Sequence, residues 1–236
     1  MNDLAYLVPV GMTLLATFVY LGRLERNEAL RDWVLAFTAL FGGAIFIVPD
    51  NRIGWALTSL LSAAFVALMY AGAQRFTDRA IPRWLLPLAA AVGLGRAVAT
   101  LAGSPGPPSL VAAGFAVALL GAAGWQIQRH AVRTRAGLAE HALGPAIALL
   151  GAFLGASIGL RFVAVDVGAL FGVWIYVAVT VALLQILAGF ERARRSETTR
   201  KQELEQERRR LRAVVETAPL DILLRDDRGG IRMLNR

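Results

Sequence analysis

The sequence predicts an all-α membrane protein: a seven-helix transmembrane bundle, then a long cytoplasmic helix and the opening of a small α/β domain. Three observations carry this expectation. The 236 residues are 56% apolar and 18% charged, with a mean hydropathy of +0.54, too apolar for a soluble domain of this length. Their charges gather between uncharged runs of about 18 residues or more, the length a helix needs to cross a bilayer. Arginines crowd alternate connections and thin out on the others.

The runs are Leu4–Leu21, Trp33–Val48, Ile53–Ala73, Trp84–Leu101, Leu110–Ile127, Leu143–Phe162 and Gly168–Phe190. Backbone polar groups that meet no water must bond within their own segment, so each run is expected as a helix. The first has Asp3 before it, no basic stretch and no small-residue cleavage site, and reads as a retained span, not a signal peptide. Arg23, Arg26 and Arg31 follow the first span, Arg75, Arg79 and Arg83 the third, Arg129, Arg133 and Arg135 the fifth, and Arg192, Arg194 and Arg195 the seventh. Those segments are expected in the cytoplasm, the N-terminus outside and the C-terminus inside, which an odd number of spans satisfies. The outer connections are Pro49–Arg52, the uncharged stretch Gly103–Ser109 and a short stretch around Asp166.

Composition excludes several chemistries. Without cysteine the chain offers no disulfide, thiolate metal site or thiol nucleophile. Its two histidines, His130 and His141, fall in one predicted loop, so no metal or haem site is expected in the bundle. The sole lysine, Lys201, lies beyond the last span, which removes a retinal Schiff base. No catalytic motif and no cofactor site is expected in this chain. The net charge of +8 is dispersed over the loops, a topology signal with attraction to anionic lipid, and nucleic acid is not an expected partner.

Outer connections this short leave no extracellular ligand domain, so a stimulus must reach the bundle, its outer mouth or the lipid. Candidate ligand-binding residues near the outer end are Arg96, Arg161, Asp50 and Asp166, with Trp55 and Trp174 at similar depth. Arg96 is the most informative, since a guanidinium inside a span needs water, a partner or a path to the interface. Either Arg96 and Arg161 pair internally with Asp50 or Asp166, or they help bind a small anionic or lipophilic ligand. Gly151, Gly155 and Gly159 recur every four residues in the sixth span and form a close-packing face, within the chain or between two copies. Pro87 and Pro145 sit near the starts of the fourth and sixth spans, where proline is tolerated.

From Glu191 the chain turns into a charged run without glycine or proline as far as Glu216, expected to continue the last span as a helix. Leu183, Phe190, Glu197, Leu204 and Leu211 fall at one heptad phase, with Val214 and Val215 near its end, giving either a marginal parallel coiled coil or a solvated charged helix. Ala218-Pro219 stops it. Two short strands, Ile222–Arg225 and Ile231–Leu234, then flank a turn with Gly229 and Gly230. A lone hairpin is not a domain, so the chain is expected to break off inside one. The organisation is therefore a bundle over residues 1–190, a connecting helix over 191–216 and a domain opening over 217–236.

The stretch from Leu211 to Asn235 resembles the opening of a PAS domain: Glu216 with Ala218-Pro219, Asp227-Arg228-Gly229-Gly230 and Asn235 carry the similarity. The bundle, with Trp33, the phrase Tyr70–Phe76 and Pro82-Arg83-Trp84, is similar in loop style to the N-terminal membrane sensors of bacterial histidine kinases and diguanylate cyclases. The resemblance implies a dimeric inner-membrane sensor passing its signal through a coiled coil to PAS and then to a histidine kinase with its response regulator, or to a diguanylate cyclase. A transporter or membrane scaffold is the reading outside that class.

Overall fold

The computed structural model describes residues 28–47, 51–104, 106–160, 168–217, 223–225 and 231–234. The predicted first span, Leu4–Leu21, lies outside them. The chain divides into two compact units, Met1–Phe190 and Glu191–Arg236. Among the described residues six helices follow in order: α1 (Glu28–Ile47), α2 (Arg52–Phe76), α3 (Leu85–Leu101), α4 (Gly106–Thr134), α5 (Leu138–Leu160) and α6 (Gly168–Thr217). Among the described residues four segments are long and apolar enough to cross a membrane, Arg52–Phe76, Gly106–Thr134, Leu138–Ser157 and Tyr176–Glu216, while Leu85–Leu101 is apolar but shorter. The protein is thus a helical, multi-pass membrane protein.

Helix α2 is the hub of the first unit, packing on α1, α3 and α4, while α4 lies along α5 over the longest interface. Asn51 starts α2 by accepting the Gly54 N–H on its Oδ1 at 2.6 Å, satisfying a donor that a helix start leaves bare. At the other end the Thr77 hydroxyl donates to the Ala73 carbonyl, and Asp78 turns left-handed at φ 56° to stop the helix. The α1–α2 core is aromatic: the rings of Trp33 and Phe76 lie 5.3 Å apart and those of Phe37 and Phe65 5.9 Å apart, all wholly or almost wholly buried. Trp33 rests on Gly72 so closely that any Cβ there would collide with the indole.

The α4–α5 interface is built on small residues. A Cβ on Gly124 would strike the Gly144 carbonyl, and one on Gly144 would stand 2.7 Å from the Gly124 carbonyl oxygen, so the two backbones touch. Further along, Gly151 fits against Leu120 and Gly155 against Val117.

Three expectations change. Helix α5 begins at Leu138, not near Leu143, so Pro145 sits about two turns inside it and deprives the His141 carbonyl of its usual donor. His130 and His141 belong to α4 and α5, joined by a short turn, and do not share a long loop. The outer stretch Gly103–Ser109 is mostly helix, since α4 starts at Gly106 with Pro107 and Pro108 in its first turn, where a missing N–H costs nothing. In all three the helix outruns the apolar run, because backbone bonding continues into polar surroundings.

In the second unit, β1 (Leu223–Arg225) and β2 (Ile231–Leu234) form an antiparallel pair with Leu223 opposite Leu234 and Leu224 opposite Met233. The register shifts between Leu224 and Arg225.

Candidate functional site

Of the outer-end candidates, Asp50, Arg161 and Asp166 lie outside the described residues, as does the side chain of Trp174. Arg96 is half-buried on α3 and lines a crevice where four helices meet, with Ser59 and Ser62 of α2, Ala112 and Phe115 of α4 and Leu154 of α5. Both serine hydroxyls are committed donors, Ser59 to the Trp55 carbonyl at 2.8 Å and Ser62 to the Thr58 carbonyl at 2.7 Å. They turn only lone pairs toward the crevice, which suits a guanidinium or a water and not an anion. The space has room for about one water molecule. Ser59 and Ser62 thus give the crevice beside Arg96 a polar lining, while the expected pairing with Asp50 or Asp166 lies outside the described residues. Trp55 contributes its carbonyl to this network and is not among the lining residues.

A second polar cluster, unanticipated from sequence, lies where α1 begins and α2 ends. Arg75 Nη1 is 2.9 Å from Glu28 Oε2, and Arg75 Nε is 3.3 Å from Asp32 Oδ2. The Asp32 side chain is 7% exposed, against 70% for Glu28. One turn deeper, the Trp33 indole N–H donates to the Met69 carbonyl at 3.4 Å, and Gln185 of α6 brings its Nε2 within 3.5 Å of the Met69 thioether. Gln185 is fully buried, and its Oε1 has no hydrogen-bond donor among the described residues. Gln126 of α4 donates to the Tyr70 hydroxyl at 3.4 Å, and the Tyr70 ring stands 6.4 Å from that of Trp84. Trp33, Tyr70, Gly72, Arg75, Phe76 and Trp84, scattered over three sequence phrases, therefore belong to one neighbourhood at this end of the bundle.

Sequence signals for this cluster exist: Glu28 and Asp32 are four apart and so share a helix face, and Gln185 interrupts an otherwise apolar run. Among the described residues no group of three or more His, Asp or Glu side chains is arranged to hold a metal ion.

Gly151 and Gly155 face α4 of their own chain, so their small face is used within the bundle; the side chain position of Gly159 is outside the described residues. On the heptad phase Phe190, Leu204 and Leu211 are exposed, as is Val214, whereas Val215 is half-buried. Glu197 pairs with Lys201 at 2.9 Å and Glu191 with Arg195 at 3.7 Å, both four residues apart along the helix. The hydrogen bond from Lys201, together with its charge, holds the Glu197 carboxyl below its usual range, so this small contribution is present at neutral pH and fades on acidification.

No family model, no curated protein and no solved structure matches the chain.

Proposed function

We propose that the chain is the membrane-embedded sensory module of a bacterial signal transducer, with seven spans and its C-terminus in the cytoplasm, relaying a stimulus through α6 to a PAS domain and a downstream histidine kinase. The observation that carries the reading is α6 itself, 50 residues in one helix. Its earlier part buries Ala178, Val181, Ala182 and Gln185 in the bundle; its later part exposes Leu204, Leu211 and Val214. Exposed leucines at heptad spacing on a charged helix suit a second copy of the same helix, and two copies held in one membrane meet in parallel. Glu203 and Arg208 would then face each other across the dimer as a g-to-e pair, while Glu197, Arg200 and Glu207 would weaken the seam. A marginal seam is one that a small shift of the bundle can bias.

Labelled ATP and GTP supplied to membranes holding the complete gene product test the output. Phosphate on a histidine is the expected result; cyclic-di-GMP would move the protein to the cyclase class, and substrate-dependent flux without either would replace the proposal by a transporter. Inserting four residues after Arg200 rotates the helical phase by about 40° and alters output strongly, whereas seven residues keep the heptad phase and largely restore it.

The Arg96 crevice is the candidate entry point. Arg96→Gln keeps a hydrogen-bond donor at the half-buried edge of the crevice, so stability measured by thermal unfolding in detergent is expected to change by less than about 1 kcal/mol. The same variant is expected to blunt the response to stimulus; an unchanged response would take Arg96 out of the signal path.

A further inference from the structure

We infer that the inner end of α4 binds the headgroup of an anionic phospholipid, with Arg129 as the phosphate ligand, Trp125 as its platform and Arg133 as the second cation. The inference rests on the topology proposed above, which puts this end of α4 at the cytoplasmic face. Counted from Gly106, Trp125 lies about 28 Å along the helix, close to the thickness of the hydrocarbon layer. The remaining turns to Thr134 therefore stand among headgroups. There Trp125 is 59% exposed and the Arg129 guanidinium carbon sits 4.8 Å from its ring centroid. Stacking on the indole occupies one face of the guanidinium and leaves its N–H edge pointing outward, the edge that binds phosphate oxygens in pairs.

Two further observations separate this arginine from one that merely sets topology. Arg75 is held by Glu28 and Asp32, whereas no carboxylate pairs with Arg129 among the described residues. Trp125, Arg129, Val132 and Arg133 are all exposed at spacings of four, three and one residue, so one helix face carries an indole, a branched apolar side chain and two cations. An apolar strip ending in paired guanidiniums complements an acyl chain ending in a phosphate, and a free phosphate would leave Trp125 and Val132 uncovered.

The test uses the full chain in phosphatidylcholine nanodiscs carrying a minor fraction of phosphatidylglycerol with brominated chains, which quench tryptophan on contact. Trp125 emission is isolated by difference from W125F. Quenching by brominated phosphatidylglycerol is expected to exceed that by brominated phosphatidylcholine, and the preference falls roughly five-fold for each arginine removed in R129Q and R129Q/R133Q. R79Q/R83Q removes equal charge from another connection and leaves the preference intact. Equal loss in both double variants, or no preference in the parent, would overturn the inference. So would displacement of the lipid by excess inorganic phosphate. Should R129Q/R133Q fail to insert, V132E sets a carboxylate beside Arg129 and is expected to abolish the preference just as well. A single cysteine in A136C, labelled from either side, reports orientation separately: labelling from outside with the preference intact defeats the topology and leaves the lipid site standing, and the converse defeats only the site.

Discussion

Gly144→Val is expected to lower the stability of the bundle by at least about 3 kcal/mol, the upper end of what overpacking costs, because what its Cβ would meet is backbone. A Cβ at Gly144 lies 2.7 Å from the Gly124 carbonyl oxygen and 3.1 Å from the backbone nitrogen of Gln128. A side chain could rotate away; a carbonyl within a helix cannot, so α4 and α5 must separate. That separation forfeits contacts along the whole interface, including those of Gly151 with Leu120 and of Gly155 with Val117. Gly124→Val should behave alike. Gly121→Val provides the control, since nothing lies within 4 Å of its Cβ position, and valine there is expected to be neutral. Thermal unfolding in detergent distinguishes them: a drop of roughly ten degrees for Gly144→Val and little change for Gly121→Val. Equal drops would mean that helix propensity, not contact, decides.

Arg75→Met is expected to cost about 2–3 kcal/mol, below the full price of breaking a buried ion pair because the Arg75 side chain is 26% exposed. The loss falls on Asp32, whose carboxylate would stay enclosed at 7% exposure with its nearest cation gone. Asp32→Asn removes the charge itself and leaves Arg75 with Glu28, so it should cost about 1 kcal/mol. Joining Asp32→Asn to Arg75→Met is therefore expected to recover part of the single Arg75 loss. Glu28→Gln should change stability little, since a carboxylate 70% exposed gains little from its pair. A double-mutant cycle followed by denaturation in mixed micelles measures the coupling. A coupling near zero would show that Asp32 finds water in place of Arg75.

Both experiments act on features that sequence reading handled unevenly. Gly151 and Gly155 were legible as a small face from their four-residue spacing, but their partner on α4 was not. Gly124 and Gly144 bring backbone against backbone and carry no such spacing with each other, being on different helices. Arg75 read only as one of the arginines of an inner connection, and nothing drew it to Glu28 and Asp32, because the pairing joins the start of α1 to the end of α2 across more than forty positions. Arg96 was singled out as an intramembrane cation, and on α3 it is half-buried beside a crevice. The crevice beside it is lined by two serines whose hydroxyl hydrogens are already taken, and which carbonyl takes a hydroxyl depends on helix geometry rather than composition.

What the sequence by itself determined were the membrane-crossing helices among the described residues, the helix that continues past Glu191 and the hairpin after it. Each follows from contiguous residues: apolar length sets a span, the absence of glycine and proline continues a helix, and turn residues between apolar strands fold a hairpin. Which helix faces meet was decided only in the tertiary structure. In water the apolar face turns inward and periodicity reveals it, but lipid is as apolar as leucine and removes that preference. Helix α3 shows the result: Gly93 and Ala97 are buried against neighbours while Leu94 and Val98 are 53% and 63% exposed. Helix α4 presents Leu110 and Val111 outward while burying Ala116, Ala123 and Gly124 together with Leu120 and Ile127. Large apolar side chains stand on both the buried and the exposed faces, so hydrophobicity alone does not choose the interior, and close approach depends on the partner helix that a linear pattern does not name.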